Sequence, residues 1–229
     1  MKPLSLAFIV FTLALLGFST YQALFVAPTE QTMGEVQRIF YYHVPSAWVA
    51  GVCFFVNFLA SIAYILKRSS NADALGAASA EVGVVFCTIV LITGPIWARP
   101  VWGIWWTWDA RLTTTLVLWL IYVSYLILRR FAAGSQTQLL SAVLGIFGFV
   151  DVPIVYMSIR WFRTQHPSPV MGGGENSGLD PAMLHAFLWN LLAFTCVGIV
   201  LVVARYRLQQ MENEVEAEHA RLALAGGSR

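Results

Sequence analysis

The sequence predicts an all-α integral membrane protein, a bundle of six transmembrane helices with a tryptophan-rich external loop. Three observations predict it. Of 229 residues, 58% are hydrophobic and only 11% charged, against about 25% charged in soluble proteins. The apolar residues fall in runs of about 20, each long enough to cross a hydrocarbon core of ~30 Å as a helix. Five of the nine tryptophans gather between Trp97 and Thr113 instead of being scattered over helix ends.

The first run, about Leu4 to Val26, follows Lys2 and is too long for a signal peptide, so it reads as an uncleaved helix. The segment Pro28 to Val44 turns amphipathic, with Met33, Val36 and Phe40 on one face, and is expected to lie on the membrane surface. Pro45 disfavours a helical residue before it, which should end that piece near His43 or Val44. Span two covers about Ser46 to Leu66 and stops at Lys67-Arg68, followed by a short polar loop to Gly76. Span three covers about Ala77 to Trp97, and the tryptophan block follows as a loop. Span four runs about Ala110 to Leu128, span five about Leu139 to Ile159, and span six about Ala182 to Ala204. Residues 1–208 thus form one membrane domain with external loops at about 27–45, 97–111 and 160–181. Residues 209–229 form an acidic cytoplasmic tail expected as a solvated, fraying helix.

Orientation follows from lysine and arginine in the short loops. Lys2, Lys67, Arg68, Arg129, Arg130, Arg205, Arg207, Arg221 and Arg229 fall on one side; Arg38, Arg99, Arg111, Arg160 and Arg163 fall on the other. The excess puts both termini in the cytoplasm and leaves five outward arginines in need of a use. Cys53, Cys87 and Cys196 lie in apolar runs with no CxxC pair and no CxxCH, which excludes a dithiol oxidoreductase and a c-type cytochrome. No basic patch suggests nucleic acid, and no Gly-rich Lys-Ser/Thr loop binds nucleotide.

The outward segments hold the candidate residues. Trp97, Trp102, Trp105, Trp106 and Trp108 leave indoles on several faces in any register, forming a flat apolar surface edged with N–H donors. A large planar ligand suits that surface; an aromatic belt at the interface is the plainer alternative. Asp109, just before span four, is placed to cap its first turn, with pairing to Arg99 or Arg111 as the alternative.

The block Trp102-Gly103-Ile104-Trp105-Trp106-Thr107-Trp108-Asp109-Ala110-Arg111-Leu112-Thr113 resembles the tryptophan-rich motif of the heme-handling proteins of cytochrome c biogenesis. Its length and flanks are most similar to cytochrome c maturation protein C, the heme exporter protein C family. His43 and His166 fall where that family's pattern carries its heme-ligating histidines, although Pro167 stands where it usually has glutamine. The resemblance implies heme b with its iron between His43 and His166 and its macrocycle on the tryptophans. Propionates would be held on arginines drawn from Arg38, Arg99, Arg111, Arg160 and Arg163, since guanidinium forks bind carboxylates. Snorkelling is the plainer reading for each arginine. It also implies a bacterial inner-membrane location with the heme site on the periplasmic side. The implied activity is transfer of heme, without catalysis, to a membrane-anchored heme chaperone, cytochrome c maturation protein E. The implied companions are ABC transporter subunits (proteins A and B), which would use any ATP, and the small membrane protein D. A heme lyase subunit of a cytochrome c synthetase, a non-heme small-solute transporter and a purely structural subunit are the alternatives.

Within the spans, Asp151 should face the bundle interior, pair, or stay protonated. Glu81 should favour a helix start, and His185 is a packed histidine or a third ligand. The glycines Gly172–Gly174 are read as slack that lets a chaperone approach.

Overall fold

In a computed structural model the chain is described over residues 3–132, 136–167, 169 and 178–226. Gly172–Gly174, Lys2 and Arg229 lie outside the described residues. The elements are α1 (Pro3–Tyr21), α2 (Phe40–Lys67), α3 (Ser70–Trp102), α4 (Ala110–Phe131), α5 (Thr137–Phe149), α6 (Asp151–Trp161) and α7 (Pro181–Gly226). Six helical stretches are long and apolar enough to cross a membrane, with α5 and α6 together making one. The fold class is the one the sequence predicts, a multi-pass helical membrane protein.

The centre of the bundle is the α2–α3 hairpin. Lipid tails are as apolar as leucine, so helices in a membrane associate mainly by close packing, and small residues permit it. The first half of α3 supplies them: Ala74, Gly76, Ala77, Ala78, Ser79, Ala80 and Gly83 are all buried. At Gly83 a Cβ would stand 2.5 Å from the Phe54 ring, so glycine is what admits that ring. Phe54 then stacks on Tyr122 of α4 at 3.8 Å. α1 is peripheral and leans on α7 through Phe18 against Trp189 and a 3.0 Å hydrogen bond from Asn190 to the Ser19 carbonyl.

Several helix ends fall elsewhere than the sequence reading puts them. α2 starts at Phe40 and runs through Pro45, instead of a surface piece ending near His43. Pro45 withholds an N–H from the Tyr41 carbonyl, but it is buried against the bundle and its fixed φ suits a helix. A 3-10 turn over Glu35–Ile39 feeds the chain into it, after a bend at Gly34 with φ 62° closed by the Glu30 carboxylate on the Thr32 N–H at 2.8 Å. The polar loop to Gly76 is shorter than expected, because Ser69 caps α3 by accepting from the Ala72 N–H. α3 itself continues past Trp97 to Trp102 and closes on Gly103, φ 79°, whose N–H donates to the Arg99 carbonyl at 3.0 Å. Trp97 and Trp102 are therefore on a helix, and only Gly103–Asp109 is loop. Span five breaks at Val150, because Pro153 cannot donate to the Phe149 carbonyl.

Asp151 thus becomes the first residue of α6, where a helix start favours a carboxylate. Its Oδ2 is buried without a hydrogen-bond partner among the described residues. Glu81 lies inside α3 and pairs with Arg205 of α7. At the same end of the bundle Arg129 forks onto Asp73 at 2.6 and 2.9 Å. At the opposite end the start of α2, the end of α3, the start of α4 and the end of α6 converge.

Candidate functional site

His43 sits in the first turn of α2 and faces α3. Its Nδ1 is 2.8 Å from the Thr93 hydroxyl, and a Cβ on Gly94 would come 3.5 Å from its Cε1. His166 lies in the segment that follows α6. Its backbone N–H donates to Thr164 Oγ1 at 3.0 Å, and its ring Nδ1 donates to the Pro167 carbonyl at 2.9 Å. The two imidazoles are near enough to act on each other's charge, and the Arg111 guanidinium acts on both. Burial pushes the His166 imidazole below its ordinary range, Arg111 pushes it further, and the Pro167 carbonyl and Asp109 partly oppose them. At neutral pH it is therefore an uncharged base with a lone pair to offer.

Asp109 and Arg111 fasten this end together. Asp109 caps α4, its Oδ1 accepting from the Leu112 N–H at 3.0 Å, as expected. Its Oδ2 accepts from the Thr164 hydroxyl at 2.7 Å, a contact the sequence gives no sign of. Arg111 donates from α4 to the Val155 and Tyr156 carbonyls of α6 at 2.6 and 3.2 Å. The other arginines are placed differently. Arg38 pairs with Glu35 and donates to the Ala23 and Ala27 carbonyls at the end of the first span. Arg99 donates to the Gly103 carbonyl and so closes α3. Arg160 lies 4.9 Å over the Tyr156 ring, and Arg163 is exposed. His185 accepts from the Trp189 indole N–H at 3.1 Å, which occupies its Nε2.

Four of the five indoles form two edge-to-face pairs. Trp97 and Trp102 meet at 5.2 Å on the last turns of α3, and Trp106 and Trp108 meet at 5.7 Å across the loop. Trp105 and Trp108 are 59% and 75% exposed, so the loop presents apolar ring surface outward. Within the same stretch Trp106 Nε1, Thr107 Oγ1 and Thr113 Oγ1 are buried without a hydrogen-bond partner among the described residues. A buried polar atom left unpaired costs about 1–3 kcal/mol, so such a group of them fits a ligand that brings polar atoms of its own. Among the described residues no cluster of three or more His, Cys, Asp or Glu side chains is placed to hold a metal ion. A pair of imidazoles is enough for a metal that arrives in its own macrocycle, where only the axial positions are open.

Fold and site together define a helical membrane protein with two imidazoles beside an indole-lined edge at one end of the bundle. The family model for heme exporter protein C matches residues 1–221. Heme exporter protein C of Bradyrhizobium diazoefficiens is 35% identical over 208 residues, 90% of this chain and 78% of the relative. Heme exporter protein C of Escherichia coli K12 is 34% identical over 188 residues, 79% of this chain and 73% of the relative. The putative cytochrome c biosynthesis ccmC-like mitochondrial protein of Marchantia polymorpha is 30% identical over 190 residues, 82% and 81% of the two chains. The chain belongs to the heme exporter protein C family.

Proposed function

We propose that the protein holds heme b at this end of the bundle and delivers it for c-type cytochrome maturation. His43 and His166 take the axial positions of the iron, and the indoles of Trp97, Trp102, Trp105, Trp106 and Trp108 line the macrocycle. Supporting this most directly is the placement of the two imidazoles: Nδ1 of each stands at hydrogen-bond distance from a neighbouring oxygen, Thr93 Oγ1 at 2.8 Å and the Pro167 carbonyl at 2.9 Å, so that Nε2 lies on the opposite edge of the ring. The unpaired Trp106, Thr107 and Thr113 atoms add polar groups for the heme carboxylates, with Arg111 as the nearby cation. Arg38 and Arg99 do less for that role, since both already hold helix ends. Arg160 and Arg163 are both exposed.

This end of the bundle then faces the outer, periplasmic side of a bacterial inner membrane with both termini inside, a reading that the excess of lysine and arginine at the other end supports. From there heme passes to a membrane-anchored chaperone, cytochrome c maturation protein E, alongside the small protein D. Any ATP is used by transporter subunits A and B.

Purification in detergent tests the reading. The extract should be red-brown with a bis-imidazole Soret spectrum that His43→Ala and His166→Ala each alter. A colourless protein after expression with added heme precursor overturns it. Reporter tags that place Gly103–Asp109 in the cytosol overturn the sidedness.

A further inference from the structure

The contact between His43 and Thr93 has only one consistent assignment of hydrogens. Thr93 Oγ1 stands 2.8 Å from His43 Nδ1 and 2.7 Å from the Ile89 carbonyl one turn earlier on α3. A hydroxyl has one hydrogen, and a carbonyl oxygen can only accept. At 2.7 Å two oxygens without a hydrogen between them would repel, so the Thr93 hydrogen points to Ile89. The contact with His43 must then run the other way, with Nδ1–H donating to Thr93. A neutral imidazole carries a single N–H, so Nε2 is left with the lone pair. Free histidine prefers the opposite tautomer, and here the threonine oxygen reverses that preference.

The same contacts fix the direction of the ring. The back-bond to Ile89 holds the Thr93 side chain in one rotamer. Gly94 beside it brings the α3 surface up to the ring, close enough that a Cβ there would stand in ordinary van der Waals contact with Cε1 at 3.5 Å. With Cβ, Nδ1 and Cε1 all placed, the imidazole plane and the direction of Nε2 are determined. His166 reaches the same protonation state through a different acceptor, the Pro167 carbonyl.

We propose that Thr93 is a positioning residue for heme: its hydroxyl oxygen fixes His43 as the Nδ1–H tautomer and presents Nε2 to the iron. This rests on the reading of His43 as a heme ligand. A hydrogen-bond acceptor behind a ligating imidazole sets its orientation and raises its basicity, and losing such a partner commonly costs about 10–100-fold in affinity for the metal. No bond other than Nε2 to iron is formed, and the Nδ1 proton stays on the ring.

The test begins without heme. Protein labelled with 15N in the histidine rings is examined by NMR, and the His43 signals are identified by their loss in His43→Ala. Wild type should show Nδ1 protonated and Nε2 bare. Thr93→Val, which keeps the shape and removes the acceptor, should move population to the Nε2–H form, and Thr93→Ser should restore the wild-type pattern. Heme titration and redox potentiometry follow on the same proteins. Thr93→Val should bind heme about 10–100-fold more weakly and raise the potential of what is bound, and Thr93→Ser should return both toward wild type.

An Nε2–H form in wild-type His43, or a tautomer that Thr93→Val leaves unmoved, overturns the proposal whatever heme does. Heme affinity and potential that ignore Thr93→Val while His43→Ala abolishes binding overturn the positioning role. Heme bound normally by His43→Ala removes the ligand itself, and the assignment of Nε2 to iron falls with it.

Discussion

Asp109 Oδ2 accepts a 2.7 Å hydrogen bond from the Thr164 hydroxyl, and the Thr164 oxygen accepts in turn from the His166 backbone N–H at 3.0 Å. The carboxylate that starts α4 therefore also holds the segment that carries a candidate ligand. Capping and tethering use different oxygens of one side chain, so substitutions separate them. Thr164→Val removes the tether and leaves the cap; it should weaken heme binding about 10-fold with little change in thermal stability. Asp109→Ala removes both, and loss of the cap alone should cost about 1 kcal/mol. A double-mutant cycle between Asp109→Ala and Thr164→Val, read as heme affinity, should show a coupling of about 0.5–3 kcal/mol. Additive losses would mean that the two residues act independently.

Acidity should act through His166. Its folded pKa lies below the ordinary value of 6.5, with burial the main cause and Arg111 second. The unfolded chain therefore takes up this proton at a higher pH than the folded one, and the linkage sign is that of a depressed group. Stability from the neutral ring is fully present above about pH 6.5 and is lost as pH falls toward the lowered folded value. Heme occupancy should be flat at neutral pH and fall on acidification. Titration of the apo protein by 15N histidine NMR checks this, and a His166 midpoint at or above the free value would contradict it.

The spans were legible because a membrane demands long apolar helices, and length alone marks them; Leu4–Val26 has the same limits in sequence and structure. The Asp109 cap was legible because capping is local. Helix ends near proline were not: α2 runs through Pro45 and α3 runs through Pro100, past the end expected at Trp97, while Pro153 starts a break. The threonines were also missed. Thr93 and Thr164 look like ordinary hydroxyls in sequence, and what distinguishes them is a partner 50 or 55 residues away. The nearest available signal is that Thr93 precedes Trp97 by one helical turn, which puts it on the tryptophan-bearing face. The helix-end contacts of Arg38 and Arg99 were not legible either, because a bond to a helix-end carbonyl depends on where the chain has turned.

Arg111 combines a charge beside the histidines with a tie between α4 and α6. Two substitutions distinguish the roles. Arg111→Ala should raise the His166 pKa, by removing the cation that opposes protonation, and should weaken the helix tie. Arg111→Lys keeps the charge on a shorter side chain that does not reach where Nη1 meets both carbonyls, so the pKa should stay low while thermal stability falls, by about 1–3 kcal/mol for the lost charged hydrogen bonds. An unchanged His166 midpoint in Arg111→Ala would show that the guanidinium does not reach the ring.

The Asp73–Arg129 pair offers the control, since it closes the opposite end of the bundle. The Asp73 side chain is 4% exposed and both of its oxygens are engaged by one guanidinium, which also lies 5.9 Å from the Tyr125 ring. A buried pair broken on one side leaves an uncompensated charge, at a cost of about 3–5 kcal/mol. Asp73→Asn should therefore lower the unfolding midpoint in detergent sharply. Replacing both partners by apolar residues of similar size should recover most of the loss, because desolvation of the two charges nearly cancels their attraction. Heme affinity of the molecules that remain folded should not change in either variant, because nothing in this pair touches the imidazole end. A fall in heme affinity at full folded fraction would mean that strain at one end of α3 is carried along the helix to Thr93 at the other.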